Sequence, residues 1–501
     1  MECSLANKLG STVRRLSRTL IVCCLVGICG VPGAKALAGG LSAGEIAHQR
    51  GAMHTSAVND IAPTATVPVY TIVGSVNPSS RTLTATQTVR YTNRTTSTLA
   101  TLGIRLFANL TDVGGSTTIR TLTIDGKSVA PTYGPQRYFV TIPLSTGILP
   151  GKSVTIQLAF TTIAPTNADT DLFGTLVSDG TTLAMPYAYP MLGMLRNGVW
   201  DAAIPDSTGD IVTSEVALFD VTLSGPSKGY TFVSTGTTIR TTVTGTTQTV
   251  RIASGLQRDF AFALTKLMKK SQTVAGTTIN VYGPASRASA TTAALAAAVA
   301  AVPIFNTRIG QYPYNELDII SIDAGSFWGI EFPGFVLIEQ LQYTTSADFE
   351  HLIVHEVGHQ WFYNVIGNDV QRDAFVDEGL TNYTELLYDE ARKRPTAAAN
   401  TITYWRDDVA SLRAAGQDAA VDQPISAMSD DQYSTLSYSK TALYIHAVRQ
   451  LIGETAFSAA LKSYYSTKKY QVVDGTAFRN VAAVACKCSL HTLYTTWILQ
   501  K

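Results

Sequence analysis

The segment His355-Glu356-Val357-Gly358-His359 constrains this chain more than any other. Two imidazoles four residues apart share a face only where the backbone between them is α-helical, which separates them by ~6 Å along the axis. Both rings can then direct a nitrogen at one divalent ion, for which the distances are ~2.0–2.1 Å. Glu356, next to the first ring, reaches a water at such an ion without ligating it. A reactive centre of this kind needs a third protein donor and a vacant position, so a second element must fold back onto the first. Glu378, in Asp377-Glu378-Gly379, is the candidate, with eighteen residues between it and His359. A turn and a returning helix span that gap. Asp373, five residues before Glu378, is a candidate to hold the free ring nitrogen of a ligand histidine. The motif also arises by chance on ordinary amphipathic helices, so the third donor decides its meaning.

The surrounding pattern supports helices at both places. Asp348 reads as an N-cap for FEHLIVHEVGHQWFYNVIG, with Gly367 as its stop. A second helix is expected from Asp377 to Arg394, ending before Pro395. Most of the chain from Asp348 to Trp497 has helical periodicity. Residues 66–264 differ: Thr82 to Tyr91 alternates apolar and polar, and VTIQLAF, FDVTLSG and TVRIASG repeat the habit between Gly, Pro and Asn turns. Such a region predicts an antiparallel β-sandwich. After it, 265–501 reads as a second, mostly helical α+β domain, and 39–65 as a linker. The chain has 501 residues, 45% of them hydrophobic and 15% charged, enough for large cores and incompatible with disorder. Lys and Arg total 38 against 37 Asp and Glu without long runs of one sign, which argues against a nucleic-acid partner.

Residues 1–38 read as a signal peptide. Lys8, Arg14, Arg15 and Arg18 precede the apolar run Leu20–Gly30, and Ala36-Leu37-Ala38 supplies small residues for cleavage. The expected location is therefore exported, either secreted or in the cell envelope, without stable membrane insertion after cleavage. A retained anchor is the competing reading, against which the shortness of the run counts. Cys486 and Cys488 follow the signal segment; their separation by one residue is awkward for a mutual disulfide, and they are expected as buried thiols.

HEVGHQWF, the interval to Glu378, and EGLTNY together resemble the aminopeptidase N family of zinc metallopeptidases, of gluzincin type. Trp328-Gly329-Ile330-Glu331-Phe332-Pro333-Gly334 is similar to that family's G-x-M-E-N sequence or its G-M-E-[YF]-P variant, and Ser437-Tyr438-Ser439-Lys440 to its Y-E-K-G segment. Tyr312-Pro313-Tyr314 resembles the segment entering the catalytic domain. Tyr189-Pro190-Met191 followed by Trp200 resembles the sheet domain of bacterial members. The likeness runs from about residue 65 to 497 and implies a bacterial short form lacking the C-terminal helical domain. It implies a thermolysin-like catalytic domain holding one Zn2+ per chain through His355, His359 and Glu378. Glu356 would be the base, Tyr438 the hydrogen-bond donor to a forming oxyanion, and Glu331 the receptor for the α-ammonium of peptides with a free N-terminus. Ile330 and Phe332 depart from the usual Met and Asn, so backbone contacts to substrate are open. The implied activity is removal of N-terminal residues. A zinc endopeptidase with the same site remains an alternative, as does a secreted binding protein on a catalytically decayed fold.

Overall fold

Strand alternation is what builds the first half. In β2 (Thr82–Thr92), which follows β1 (Val69–Asn77), Leu83, Ala85, Gln87, Val89 and Tyr91 point inward while the intervening residues are exposed or half-buried. A pleat puts successive side chains on opposite faces, so one face of the ribbon becomes core. The computed structural model describes residues 41–62, 65–166, 175–325 and 327–500; the expected signal peptide lies outside the described residues. The described residues form one compact unit.

The largest sheet has eight strands. Its order is Thr237–Thr244, Thr247–Gln257, Ala217–Pro226, β1, β2, Ser153–Ile163, Ser116–Ile124 and Lys127–Ser128. The expectation of a purely antiparallel sheet is corrected at one seam, where Val69–Ser75 runs parallel to Leu218–Ser224. Two four-stranded sheets, one built on β3 (Leu99–Arg105), and a two-stranded sheet of Leu195–Arg196 with Val199–Trp200 also belong to this β-rich region. Their apolar faces meet in a core that includes Ile72, Leu83, Leu102, Ile156, Phe160, Phe219 and Ile252. Each such side chain stabilises the fold by about 1.5–3 kcal/mol on burial.

Residues 41–62, within the segment expected as a linker, fold instead. Ser42 and Glu45 close a capping box on α1 (Ala43–Arg50), the reciprocal hydrogen-bond pair that satisfies a helix start. Gln49 is buried, donating to the Phe219 carbonyl (2.9 Å) and accepting from the Gly255 amide (2.9 Å). Met53 then bridges to Tyr314, so the segment is packed against both halves of the chain.

The second half begins with a mixed five-stranded sheet ordered Met268–Val274, Thr277–Gly283, Glu316–Ile322, Phe335–Glu339 and Gly329–Phe332. The last is an edge strand, antiparallel to its neighbour with Glu331 opposite Val336. The Ala-rich α2 (Ala288–Arg308) turns small residues, Ala294, Ala298 and Ala301, into the core beneath it. Next come α3 (Ala347–Gly358), α4 (Phe375–Ala391) and α5 (Pro395–Ala414), then a long helix over Thr441–Lys468. Buried Arg258 ties the two regions together, donating to the carbonyls of Ser214 (2.9 Å), Tyr363 (2.6 Å) and Gln471 (2.6 Å). Cys486 and Cys488, expected as separate thiols, form a disulfide. The helix ends at Cys486, and Lys487 adopts a left-handed conformation (φ 54°) that folds the chain back, leaving the two Cα atoms 5.2 Å apart.

Candidate metal centre

The helix carrying the histidines starts two residues earlier than its sequence suggests. Ser346, not Asp348, is the N-cap of α3 and accepts from the Phe349 amide (3.1 Å); Asp348 and Glu350 lie in the first turn, where carboxylates complement the helix dipole. The helix stops at Gly358 rather than near Gly367, because the chain turns at once toward Trp361, whose indole donates to the Gly310 carbonyl (2.6 Å). His359 is the C-cap, still in right-handed helical geometry, so the four-residue spacing keeps its meaning. α4 runs back against α3. Gly358 permits the approach, since a Cβ there would lie 2.5 Å from Thr384 Oγ1 and 3.1 Å from Thr381 Cγ2.

This crossing brings three donor atoms together. His355 Nε2 and His359 Nε2 are 3.1 Å apart, and Glu378 Oε2 is 3.5 Å from the first and 3.3 Å from the second. Three donors at ~2.0–2.1 Å from a tetrahedral zinc stand about 3.3 Å from one another, which matches this triangle. Glu378 Oε2 is buried and accepts no hydrogen bond among the described residues. The donor set and its spacing thus fit Zn2+.

The outer contacts orient the rings. His355 Nδ1 is paired with Glu385 Oε1 (3.0 Å); His359 Nδ1 faces the Phe362 carbonyl (3.0 Å) and the Thr381 hydroxyl (3.2 Å). Asp373 does not take that role. Its amide donates to the Asp369 carbonyl (2.7 Å) and its carbonyl accepts from Asn368 (3.0 Å), which locks it into the turn before α4. Glu385 stands seven residues after Glu378, two turns along the same helix face, a spacing that could have found it. Because such outer-shell carboxylates typically set metal affinity by 10–100-fold, Glu385→Ala is expected to weaken zinc binding by about that factor in a competition with a chelating dye. An unchanged affinity would show that Glu385 does not orient His355.

Glu356 is buried beside the triangle, with Oε2 unpaired. Burial pushes its carboxyl up to about 8; His355 opposes this, and Glu378 and Glu385 reinforce it. Gly329 leaves it room, since a Cβ at that position would come within 2.2 Å of Glu356 Oε1. Gly329→Ala is therefore expected to lower kcat by about 10–100-fold with zinc content unchanged, as a misplacement of ~1 Å in a reacting group does; wild-type turnover in that variant would contradict the contact.

Glu331, on the edge strand, is buried with Oε1 3.6 Å from His359 Nδ1. Burial, followed by the charges of Asp210, Glu356, Glu378 and Asp377, raises its carboxyl well above the usual range. Asp210 was not foreseen. It reaches the site on the loop before Ile211, and its carboxyl is pushed up to about 6 by burial and then by Glu378. Tyr438 stacks on His355 (5.8 Å, 17°) and donates to Glu378 Oε1 (2.5 Å). It sits in a π-helical stretch, Tyr433–Lys440, that also presents Tyr433 to Glu378 Oε1 (3.2 Å), a second tyrosine that the sequence did not single out. The carboxyls of Glu331, Asp210, Glu356, Glu378 and Asp377 repel one another beside the two imidazoles, a setting that a cation relieves.

A helix pair whose two His and one Glu converge, beside an edge strand that adds the Glu331 carboxylate, is a donor set of the kind that holds a single catalytic zinc. Residues 294–497 match the Peptidase family M1 domain. Among curated proteins, aminopeptidase N of Bos taurus is 29% identical over 179 residues, 32% of this chain and 18% of that protein. Leucine aminopeptidase 2-1 of Meyerozyma guilliermondii is 23% identical over 176 residues, 34% of this chain and 29% of that protein. The match thus spans less than a third of either relative. The M1 zinc metallopeptidase from Deinococcus radiodurans superposes with a TM-score of 0.65 at 17% identity, covering 86% of this chain and 94% of that one. A mutant of that protein bound to a Tyr-Ser-Ala substrate gives 0.61 at 17% identity, covering 87% and 94%. At these identities the likeness speaks for the fold.

Proposed function

We propose that the chain is a zinc-dependent aminopeptidase that removes N-terminal residues from peptides, and that it acts after export. The observation that carries this reading is the acidic pair Glu331 and Asp210 beside the metal triangle, a receptor for one positive charge at a fixed distance from the reacting bond. His355, His359 and Glu378 would hold the zinc, which when bound supplies Lewis acidity toward a water and a carbonyl oxygen. Glu356 takes a proton from the attacking water and delivers it to the leaving amine. Tyr438 donates a hydrogen bond to the oxygen that gains charge, an interaction stronger in the transition state than in the substrate. Gly329–Phe332 is the edge strand of its sheet, the place where an extended peptide would lie alongside. We read the β-rich region as a sandwich and the helical region as a thermolysin-like catalytic domain. Export rests on the basic head, apolar run and Ala-Leu-Ala of residues 1–38.

The test compares a fluorogenic peptide with a free α-amine against its N-acetylated form. Loss of the ammonium leaves Glu331 and Asp210 facing an uncharged amide, so kcat/KM is expected to fall at least 100-fold. Equal rates on both would make the enzyme an endopeptidase.

A further inference from the structure

Arg105, the last residue of β3, is 5% exposed and yet forms no ion pair among the described residues. One Nη donates to the Leu192 carbonyl (3.2 Å), and the Phe107 ring lies 5.0 Å away. Its Nε has no acceptor. A guanidinium stays charged at any ordinary pH, and a buried charge without a counterion is costly. Arg105 lines a cavity of about 440 Å³, within the ~300–1,000 Å³ range of small-ligand sites.

The other cations around this cavity are already neutralised. Arg196 pairs with Asp201 (2.7 Å) and Asp369 (2.5 Å), and Arg372 with the same two acids (2.9 Å each). Arg105 is left as the available positive charge. Two further acids stand on the wall: Asp112 accepts from Ser207 (2.8 Å), and Asp206 from the Thr208 amide (3.0 Å). They repel a bare anion and attract an ammonium, while Met194, Ile204 and Ile211 add apolar surface. His355, His359, Glu378, Glu356 and Glu331 do not line this space. We propose that it is a second ligand site, which binds a free amino acid or short peptide as the zwitterion, carboxylate on Arg105 and ammonium toward Asp112 and Asp206. This assignment does not depend on the aminopeptidase reading.

The test is calorimetric titration of the zinc-loaded chain with its metal capped by an amino-acid hydroxamate, so that the metal centre neither binds nor cleaves the probe. L-alanyl-L-alanine is expected to bind one per chain. L-alanyl-L-alaninamide, which lacks the carboxylate, should bind at least tenfold more weakly, and inorganic phosphate more weakly than the dipeptide. Arg105→Met should lose the dipeptide at least tenfold while hydrolysing a fluorogenic aminoacyl amide like the unmodified chain. Equal affinity for dipeptide and amide, or phosphate binding as tightly as the dipeptide, would overturn the proposal. Should Arg105→Met fail to fold, the acid-against-amide comparison on the unmodified chain decides alone.

Discussion

Glu356→Gln is expected to retain one zinc per chain and to lose hydrolysis by about 10³-fold or more in kcat. The side chain keeps its shape, and it is not among the three groups whose donor atoms converge. What disappears is the capacity to accept a proton, and general acid–base catalysis contributes about 10²–10⁴-fold. Burial and the neighbouring Glu378 and Glu385 carboxylates raise the proton affinity of Glu356, which suits a group that must take a proton and return it. Steady-state kinetics with parallel metal analysis measure both halves. A variant with more than a tenth of wild-type kcat would place the base elsewhere.

The second large effect is expected at Glu378→Ala. Its carboxylate lies between the two imidazoles and accepts from Tyr433 and Tyr438, so removing it deletes a donor and frees both tyrosines at once. Loss of outer-shell partners alone commonly costs 10–100-fold in metal affinity, and loss of a direct donor costs more. Zinc content after dialysis against a weak chelator should fall below about a tenth of the wild-type value, with hydrolysis lost in proportion. A variant that kept its zinc through that dialysis would remove Glu378 from the coordination shell.

These residues were legible because helical periodicity is local geometry. His355 and His359 need only one another, and Glu378 needs only a helix that returns. Glu385 was equally legible, seven positions on, whereas Asp373 is only nearer to Glu378 in sequence. The structure puts Asp373 in a turn whose backbone hydrogen bonds fix it elsewhere. Asp210 and Tyr433 were not legible. One arrives on a loop of the β-rich region and the other in a π-helical stretch, and no spacing rule links either to the zinc helix. Residues 39–65 misled because their capping box is short and Gln49, polar in composition, is buried by partners far along the chain. The disulfide was missed since closing Cys486 onto Cys488 depends on the left-handed turn at Lys487, a conformation that a lysine seldom adopts. Pairing between β1 and Ala217–Pro226 escaped for a similar reason: alternation marks a strand without fixing the direction of its neighbour.

Zinc-edge anomalous diffraction from crystals of the purified chain tests the central claim most directly. A single strong peak should stand between His355 Nε2, His359 Nε2 and Glu378 Oε2. A peak at any other place, or none there in crystals grown with zinc, would contradict the account.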